Sequence, residues 1–155
     1  LYRMICSNGL VIADEQFESV KMRHMGYSFE DLQDMIKEMV GKLPLTVESM
    51  NKMKAIEMAE EQILAFAKDA LNARFTKKEM NRIEVDLKEL TTPTRKEDRG
   101  SDLWSVFNVV QEKLIEGDFQ YRAGGKVRQA RVIKNFKQDI KINKELFNVA
   151  LSYAA

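Results

Sequence analysis

The chain has 155 residues, of which 45% are hydrophobic and 32% are charged. These proportions are typical of a globular protein with one hydrophobic core, and they exclude a disordered tail. The 25 Lys and Arg residues nearly balance the 24 Asp and Glu residues. The resulting net charge of +1 excludes a basic excess along the whole chain but permits a local basic patch.

One cysteine, Cys6, excludes an internal disulfide and predicts a cytosolic setting. No apolar run approaches the roughly 20 residues of a membrane span, so we expect no membrane partner. Because the first residue is Leu1 rather than Met, we expect the chain to be part of a longer protein.

Residues 1–26 predict a small β element. Asn8-Gly9 is a strong turn signal between two short extended pieces within residues 1–12. Residues 17–25 alternate between apolar and polar side chains, as a half-buried strand does. Two strands make a poor sheet alone, so we expect these pieces to complete a larger one.

Residues 27–117 predict a helical hairpin region. A first helix begins near Ser28 and ends at Gly41, and a connector follows around Pro44. Residues Thr46–Ala73 then predict a long helix, because apolar residues recur in it at close to heptad spacing. Such a helix extends roughly 42 Å, which is longer than a small globule needs.

Two further helices are predicted before residue 118. The capping box Thr76–Glu79 opens the first, with an apolar stripe at Met80, Ile83, Leu87 and Leu90. Ser101 caps the second, which carries Trp104 as a core residue and stops at Gly117.

The last segment, residues 118–155, is predicted to be irregular as far as Gly125, then basic, and then helical. Asn143 is the expected cap of the closing helix, whose buried side comprises Leu146, Phe147, Ala150 and Leu151. The predicted fold class is therefore mainly α with a small β element at the amino terminus (α+β). We expect a helical bundle or hairpin packed against short strands in a single domain, 1–155.

The sequence offers few groups for catalysis, since it has no Gly-rich phosphate loop and no paired cysteines. We interpret the one histidine, His24, as a strand residue rather than a titratable group at a binding surface. A metal-binding face of Glu57, Glu60 and Glu61 is less favoured than a solvated helix side, because no histidine accompanies them. We therefore expect no enzymatic activity, no cofactor and no metal in this chain, although an active site in an upstream part stays open.

The strongest signal is a basic segment near the carboxyl end. From Arg122 to Lys144 the chain has eight basic residues and one acidic residue, Asp139. These 23 residues carry +7, which leaves −6 for the other 132 because the total is +1. Spacings of three and four from Arg128 onward would align the cations on one side if the segment is helical.

We predict a nucleic-acid interface in this segment, with single-stranded DNA as the favoured ligand. Aromatic rings beside cations are what base stacking on a single strand requires, and Gly124-Gly125 would admit a phosphate close to the backbone. The candidate phosphate ligands are Arg122, Lys126, Arg128, Arg131, Lys134, Lys137 and Lys141, and the candidate stacking residues are Tyr121 and Phe136.

Three alternatives stay open. One is a solvated basic face that offsets the acidic remainder, with Phe136 buried, and another is an acidic protein partner. The third is a protein-interaction module that assembles on itself or on a host factor. In that case the Thr46–Ala73 helix and a surface rich in the nine methionines would form the contact.

Several stretches of the chain resemble one protein family. Arg3–Leu10 is similar to an opening of Arg, two apolar residues, Cys, any residue and Asn, and Arg23–Gly26 is similar to an Arg-His-Thr-Gly stretch. Leu103–Val110 resembles a Leu-Trp…Asn-Ala-Val helix, and Asn135-Phe136 with residues 143–155 resembles an aromatic segment and an Ala-rich closing helix. All of these belong to the phage/plasmid-related family grouped as domain of unknown function 932.

The matching motifs span most of the chain, and their order and spacing carry the resemblance, which we assign to the carboxyl-terminal two-thirds or so. Two positions depart from the family pattern, because Met25 replaces Thr and Phe136 stands where a Trp-Phe-Gly run is common. The resemblance implies an origin in a phage, plasmid or integrative element and a place in the bacterial cytoplasm. It supplies no catalytic residues, because the activity of the family is not established.

Overall fold

The computed structural model describes residues 4–5, 11–12, 29–96 and 98–155, and this part of the chain is mostly helical. The chain divides into two compact units, residues 1–50 and 51–155. The elements are β1 (Met4–Ile5), β2 (Val11–Ile12), α1 (Phe29–Lys54), α2 (Glu60–Arg74), α3 (Lys77–Met80), β3 (Ile83–Val85), α4 (Leu87–Thr91), α5 (Leu103–Glu116), β4 (Gln120–Ala123), β5 (Lys126–Gln129) and α6 (Phe136–Tyr153).

In the first unit, β1 pairs antiparallel with β2, with Met4 opposite Ile12. The predicted strand at residues 17–25, with His24, lies outside the described residues. The predicted helix end at Gly41 is wrong, because α1 continues through Pro44. An interior proline removes one backbone donor, and its ring crowds the carbonyl four residues before it, but neither effect ends α1 at this position.

The predicted long helix Thr46–Ala73 is also wrong. Its start lies inside α1, and the chain leaves the helical path between the end of α1 and the start of α2. There the Met58 backbone N–H donates to the Ser101 carbonyl at 2.9 Å, and the Leu103 N–H donates to the Ile56 carbonyl at 2.9 Å. Long-range backbone pairing thus replaces helical hydrogen bonds that good helix-forming residues would otherwise make.

The capping box before α3 is confirmed. The Glu79 N–H donates to Thr76 Oγ1 at 3.3 Å, and the Thr76 N–H donates back to Glu79 Oε2 at 2.7 Å. The helix that follows has only four residues, so the predicted stripe is wrong beyond Met80. Ile83 lies in β3, and Leu87 begins α4, which Asp86 caps.

Helix α5 carries the centre of the core. Its cap is Asp102 rather than the predicted Ser101, since Asp102 Oδ1 accepts from the Ser105 N–H at 3.0 Å. The predicted stop at Gly117 is confirmed, with φ of +74° in the left-handed region. Trp104 is buried as predicted and stacks on Phe107 with ring centroids 5.5 Å apart.

The segment predicted to be irregular forms a β-hairpin instead. A two-residue turn, Gly124-Gly125, joins β4 to β5, and both glycines have positive φ, as a type I′ turn requires. β3 pairs with β4, which gives an antiparallel sheet in the order β3-β4-β5. This three-stranded sheet lies at residues 83–129, so the predicted placement of the β element at the amino terminus is not confirmed.

Helix α6 begins seven residues before the predicted cap, Asn143. Its cap is Asn135, whose Oδ1 accepts from the Lys137 and Gln138 N–H groups at 3.0 and 3.2 Å. Asn143 is instead buried within α6, where its Oδ1 accepts from Gln111 Nε2 at 2.5 Å. The sequence pattern could not show this cross-helix hydrogen bond.

One side of α6 packs against α2 and α5. Leu146 and Ala150 are buried, as predicted, and Phe147 is half-buried against Phe107. Leu151 is exposed, which corrects its predicted burial. Among the described residues, no helix is both long enough and apolar enough to cross a membrane.

Candidate nucleic-acid interface

Strand alternation divides the basic residues of the hairpin between two faces. Tyr121 lies opposite Arg128, and Ala123 lies opposite Lys126, so these side chains share one face of the sheet. Arg122 lies on the other face. The basic segment therefore does not form one continuous surface, and we name the first of these two surfaces the Tyr121 face.

The face that carries Arg122 is acidic. Arg122 lies directly opposite Glu84 on β3. Asp86 and Glu89 join these two residues around a depression of about 400 Å³. Three carboxylates against one guanidinium disfavour a polyanion, so Arg122 does not remain a candidate phosphate ligand.

The Tyr121 face leads into a second, larger cavity of about 620 Å³, which we name the arginine cavity. Among the residues that the structure describes, its lining includes three arginines and two aromatic residues but no acidic residue. The lining residues are Arg74, Phe75, Tyr121, Arg128, Gln129, Ala130 and Arg131.

Arg74 fixes the base of the arginine cavity. Its guanidinium donates hydrogen bonds to the backbone carbonyls of Leu114 and Arg131. The same group lies over the rings of Phe75 and Phe119, at 5.7 and 5.4 Å from their centroids. Burial lowers the pKa of Arg74, although an arginine keeps its charge at neutral pH. A positive charge is thus held beneath the cavity.

The loop that carries Arg131 is held against the end of α5. The Ala130 N–H donates to the Phe119 carbonyl at 3.0 Å, and the Gln129 side chain donates to the Gly117 carbonyl at 2.7 Å. Gly117 permits this close approach, because a Cβ atom there would lie 2.6 Å from the Arg131 carbonyl carbon. On the other side of Arg131, the Ile133 N–H donates to the Ile115 carbonyl at 2.8 Å, so the backbone is anchored on both sides of Arg131.

The cations of the cavity rim, Arg128 and Arg131, and the neighbouring Lys126 on the Tyr121 face are exposed. In the part of the chain that the structure describes, none of the three forms a salt bridge. Their charges are available to an anionic ligand.

The aromatic residues of the segment differ in accessibility. Tyr121 is half-buried and forms an aromatic wall with Phe75, with ring centroids 5.7 Å apart and planes at 60°. Phe119 is fully buried, so it cannot stack on a base. Phe136 is 55% exposed, so the alternative interpretation was wrong to expect its burial.

The remaining candidate residues lie outside the lining of the cavity. Lys134 is exposed in the loop before α6, and Lys137 is exposed in its first turn. Lys141 lies 3.7 Å from Glu145, a carboxylate just beyond the basic segment. The basic residues from Arg128 to Lys144 would form one row only if this segment were a single helix. The segment instead comprises the end of β5, a loop and the start of α6, so no such row forms.

Arg74 and Phe75 were missed as candidates from sequence. They end α2 and lie more than 40 residues before the hairpin, so the basic segment gives no sign of them. Their only local signal is a cation and an aromatic ring placed together just before the Thr76 capping box. Tertiary contacts bring them to the Tyr121 face.

The three glutamates weighed as a metal-binding face do not share one helix, because Glu57 precedes α2 and only Glu60 and Glu61 belong to it. Glu57 accepts a hydrogen bond from Ser101 Oγ at 2.7 Å, and Glu60 lies 3.4 Å from Lys88 Nζ. Over the described ranges, no group of three or more potential metal ligands is present.

The molecule is thus a mostly helical protein with a small antiparallel sheet, and one face of that sheet leads into an arginine-rich cavity. A family model described as Domain of unknown function (DUF932) matches residues 1–147, so the chain belongs to this family. The match includes the amino end, whereas the sequence resemblance was assigned to the carboxyl-terminal two-thirds or so.

Two similar proteins come from Escherichia coli strain K12. UPF0380 protein YafZ is 29% identical and UPF0380 protein YfjQ is 28% identical, each over 151 residues or 97% of this chain. The match covers 54% of each relative, so the chain spans about half the length of these proteins. No solved structure matches the chain significantly.

Proposed function

We propose that this chain is a non-enzymatic protein that binds nucleic acid, with single-stranded DNA as the favoured ligand, through the Tyr121 face and the arginine cavity. One observation carries this proposal: three arginines and two aromatic residues line one cavity, and no acidic residue of the described part of the chain joins them. Cations with stacking platforms are what sequence-independent binding of single strands requires.

The proposed contacts are fewer than the sequence indicated. Arg128, Arg131 and Lys126 bind phosphates, and Tyr121 stacks against a base. Arg128 and Lys126 lie two residues apart on one strand, so they meet a passing strand at a separation of about 7 Å. Such contacts depend on the phosphate backbone and carry little sequence information.

The cellular setting is part of the same proposal. We place the protein in the bacterial cytoplasm, encoded by a phage or plasmid and acting in mobile-element DNA metabolism. This step rests on the family resemblance alone and not on the residues of the cavity.

Fluorescence anisotropy with a labelled single-stranded oligonucleotide tests the binding. We expect Arg128→Gln to weaken binding several-fold, because it removes one phosphate contact. Arg122→Gln is the matched control, since it removes the same charge from the opposite face of the same hairpin. Equal effects of the two variants, or no binding to DNA or RNA at low salt, would contradict the proposal.

A protein-interaction role is the second candidate, and α1 offers its own observation for it. Phe29, Ile36 and Val40 are 73%, 49% and 55% exposed, and their spacings of seven and four place them on one helix face. We expect Ile36→Lys to weaken any self-association that light scattering detects over a dilution series. A wild-type chain that is monomeric at every concentration would count against self-assembly.

A further inference from the structure

The arginine cavity has the size of a small-molecule site. Its volume of about 620 Å³ falls within the range of roughly 300–1,000 Å³ that is usual for ligand pockets. A surface that only follows a phosphate backbone needs no cavity of this size. The volume is therefore sufficient for part of a ligand to enter the cavity.

The wall of the cavity has an aromatic part and a cationic part. Phe75 and Tyr121 provide aromatic surface on one part, and the exposed guanidinium groups of Arg128 and Arg131 provide charge on another. Guanidinium groups match phosphate geometry with paired hydrogen bonds, and rings favour flat partners. A ligand that uses both parts is anionic and aromatic at once.

Arg74 contributes in a different way from the other two arginines. Its guanidinium is already hydrogen-bonded to two backbone carbonyls and lies over two rings. It therefore acts as a fixed charge beneath the cavity and positions the loop of Arg131. Direct contacts to a phosphate fall to Arg128 and Arg131.

From these observations we infer that the arginine cavity binds one unpaired nucleotide, with its base against Tyr121 and its phosphate between Arg128 and Arg131. This inference rests on the proposed function and specifies it. A base paired within a duplex is stacked and cannot enter, so the cavity selects single strands or extruded nucleotides.

Calorimetric titration of the full chain with deoxythymidine monophosphate, thymidine and inorganic phosphate tests the inference. We expect the nucleotide to bind at least about tenfold more tightly than either part, because stacking and charge both contribute. Arg128→Gln should lower nucleotide affinity several-fold, whereas Arg122→Gln should not change it. Tyr121→Leu, which keeps an apolar side chain, should remove the advantage of the nucleotide over phosphate.

The outcomes separate this inference from the proposed function. If the oligonucleotide binds and the mononucleotide neither binds nor competes, the inference is overturned and the proposed function stands. If phosphate or a phosphotyrosine peptide binds as tightly as the nucleotide, the nucleotide assignment is wrong. If the nucleotide binds but oligonucleotides do not, the cavity assignment holds and the proposed function fails.

Discussion

Arg74 is the residue whose replacement most directly tests how the arginine cavity is held. Lysine keeps the charge, but its compact ammonium lacks the planar fork with which the guanidinium reaches two separate carbonyls while it lies over two rings. We expect Arg74→Lys to lower the free energy of unfolding by about 1–3 kcal/mol, because at least one partly buried carbonyl loses its partner. Urea denaturation measures this loss. Exposed Arg82→Lys is the control, and equal effects would contradict the bridging role.

The raised pKa of Tyr153 predicts that the free energy of unfolding decreases at alkaline pH. Its hydroxyl donates to Asp69 Oδ2 at 2.8 Å. Partial burial and this contact with Asp69 raise the pKa of Tyr153 to about 12 from 10.0. Between these values the unfolded chain loses the tyrosine proton while the folded chain keeps it. The stabilisation from Tyr153 is therefore complete below pH 10 and is lost as pH rises towards 12.

We expect Tyr153→Phe to lower the free energy of unfolding by about 1 kcal/mol at neutral pH, through loss of the hydrogen bond. The variant should also show a shallower loss of stability than wild type above pH 10. Urea denaturation at neutral and alkaline pH measures both effects. An identical alkaline decline in the two proteins would show that Tyr153 is not the responsible group.

At the scale of elements, Gly117 joins the end of α5 to the loop of Arg131. Alanine at a left-handed position costs roughly 1–2 kcal/mol from backbone strain alone. Gly117→Ala also brings a Cβ atom to 2.6 Å from the Arg131 carbonyl carbon, whereas Gly124→Ala in the hairpin turn meets open space. We expect the unfolding free energy of Gly117→Ala to be lower than that of Gly124→Ala by about 1 kcal/mol or more.

Chemical denaturation of both alanine variants isolates the steric part of this loss, since both residues have positive φ. Equal stabilities would mean that the loop moves away at little cost. In that case the Arg131 loop is not anchored as tightly as its hydrogen bonds indicate.

Elements that depend on local chemistry could be predicted from sequence. The Thr76–Glu79 capping box and the stop at Gly117 are examples, because each is satisfied within a few residues. The break before α2 was not predictable in this way, since Met58 and Ile56 pair with residues more than 40 positions away. The strand β3 was missed because an Ile83–Leu87 spacing fits a helix as well.

At the scale of the whole molecule, the sequence located the basic segment but not its geometry. Charge counted along the chain treats Arg122 and Arg128 alike, whereas strand pairing places them on opposite faces. It also omits Arg74, which reaches the site only through the fold. A run of basic residues in the sequence therefore does not give the size of a binding surface. The register of the strands must be known first, because it decides which of the residues share a face.

The number of cations that contact the strand, three from the structure or eight from the sequence, can be measured through the salt dependence of binding. Each phosphate contact with a single strand contributes about −0.7 to the slope of log K against log salt concentration. Three cations on the Tyr121 face and the cavity rim predict a slope of about −2, whereas contact by all eight basic residues predicts about −5.6. Anisotropy titrations at several salt concentrations measure this slope.

Arg131→Gln should reduce the magnitude of that slope by about 0.7, because one phosphate contact is lost. Lys141→Gln, whose wild-type lysine lies beside Glu145, should leave it unchanged. A slope near −5 or steeper would show that the α6 lysines also bind the strand, and the three-cation surface would then be too small. A slope near zero would remove the electrostatic basis of the interface, since the rings alone would have to account for binding.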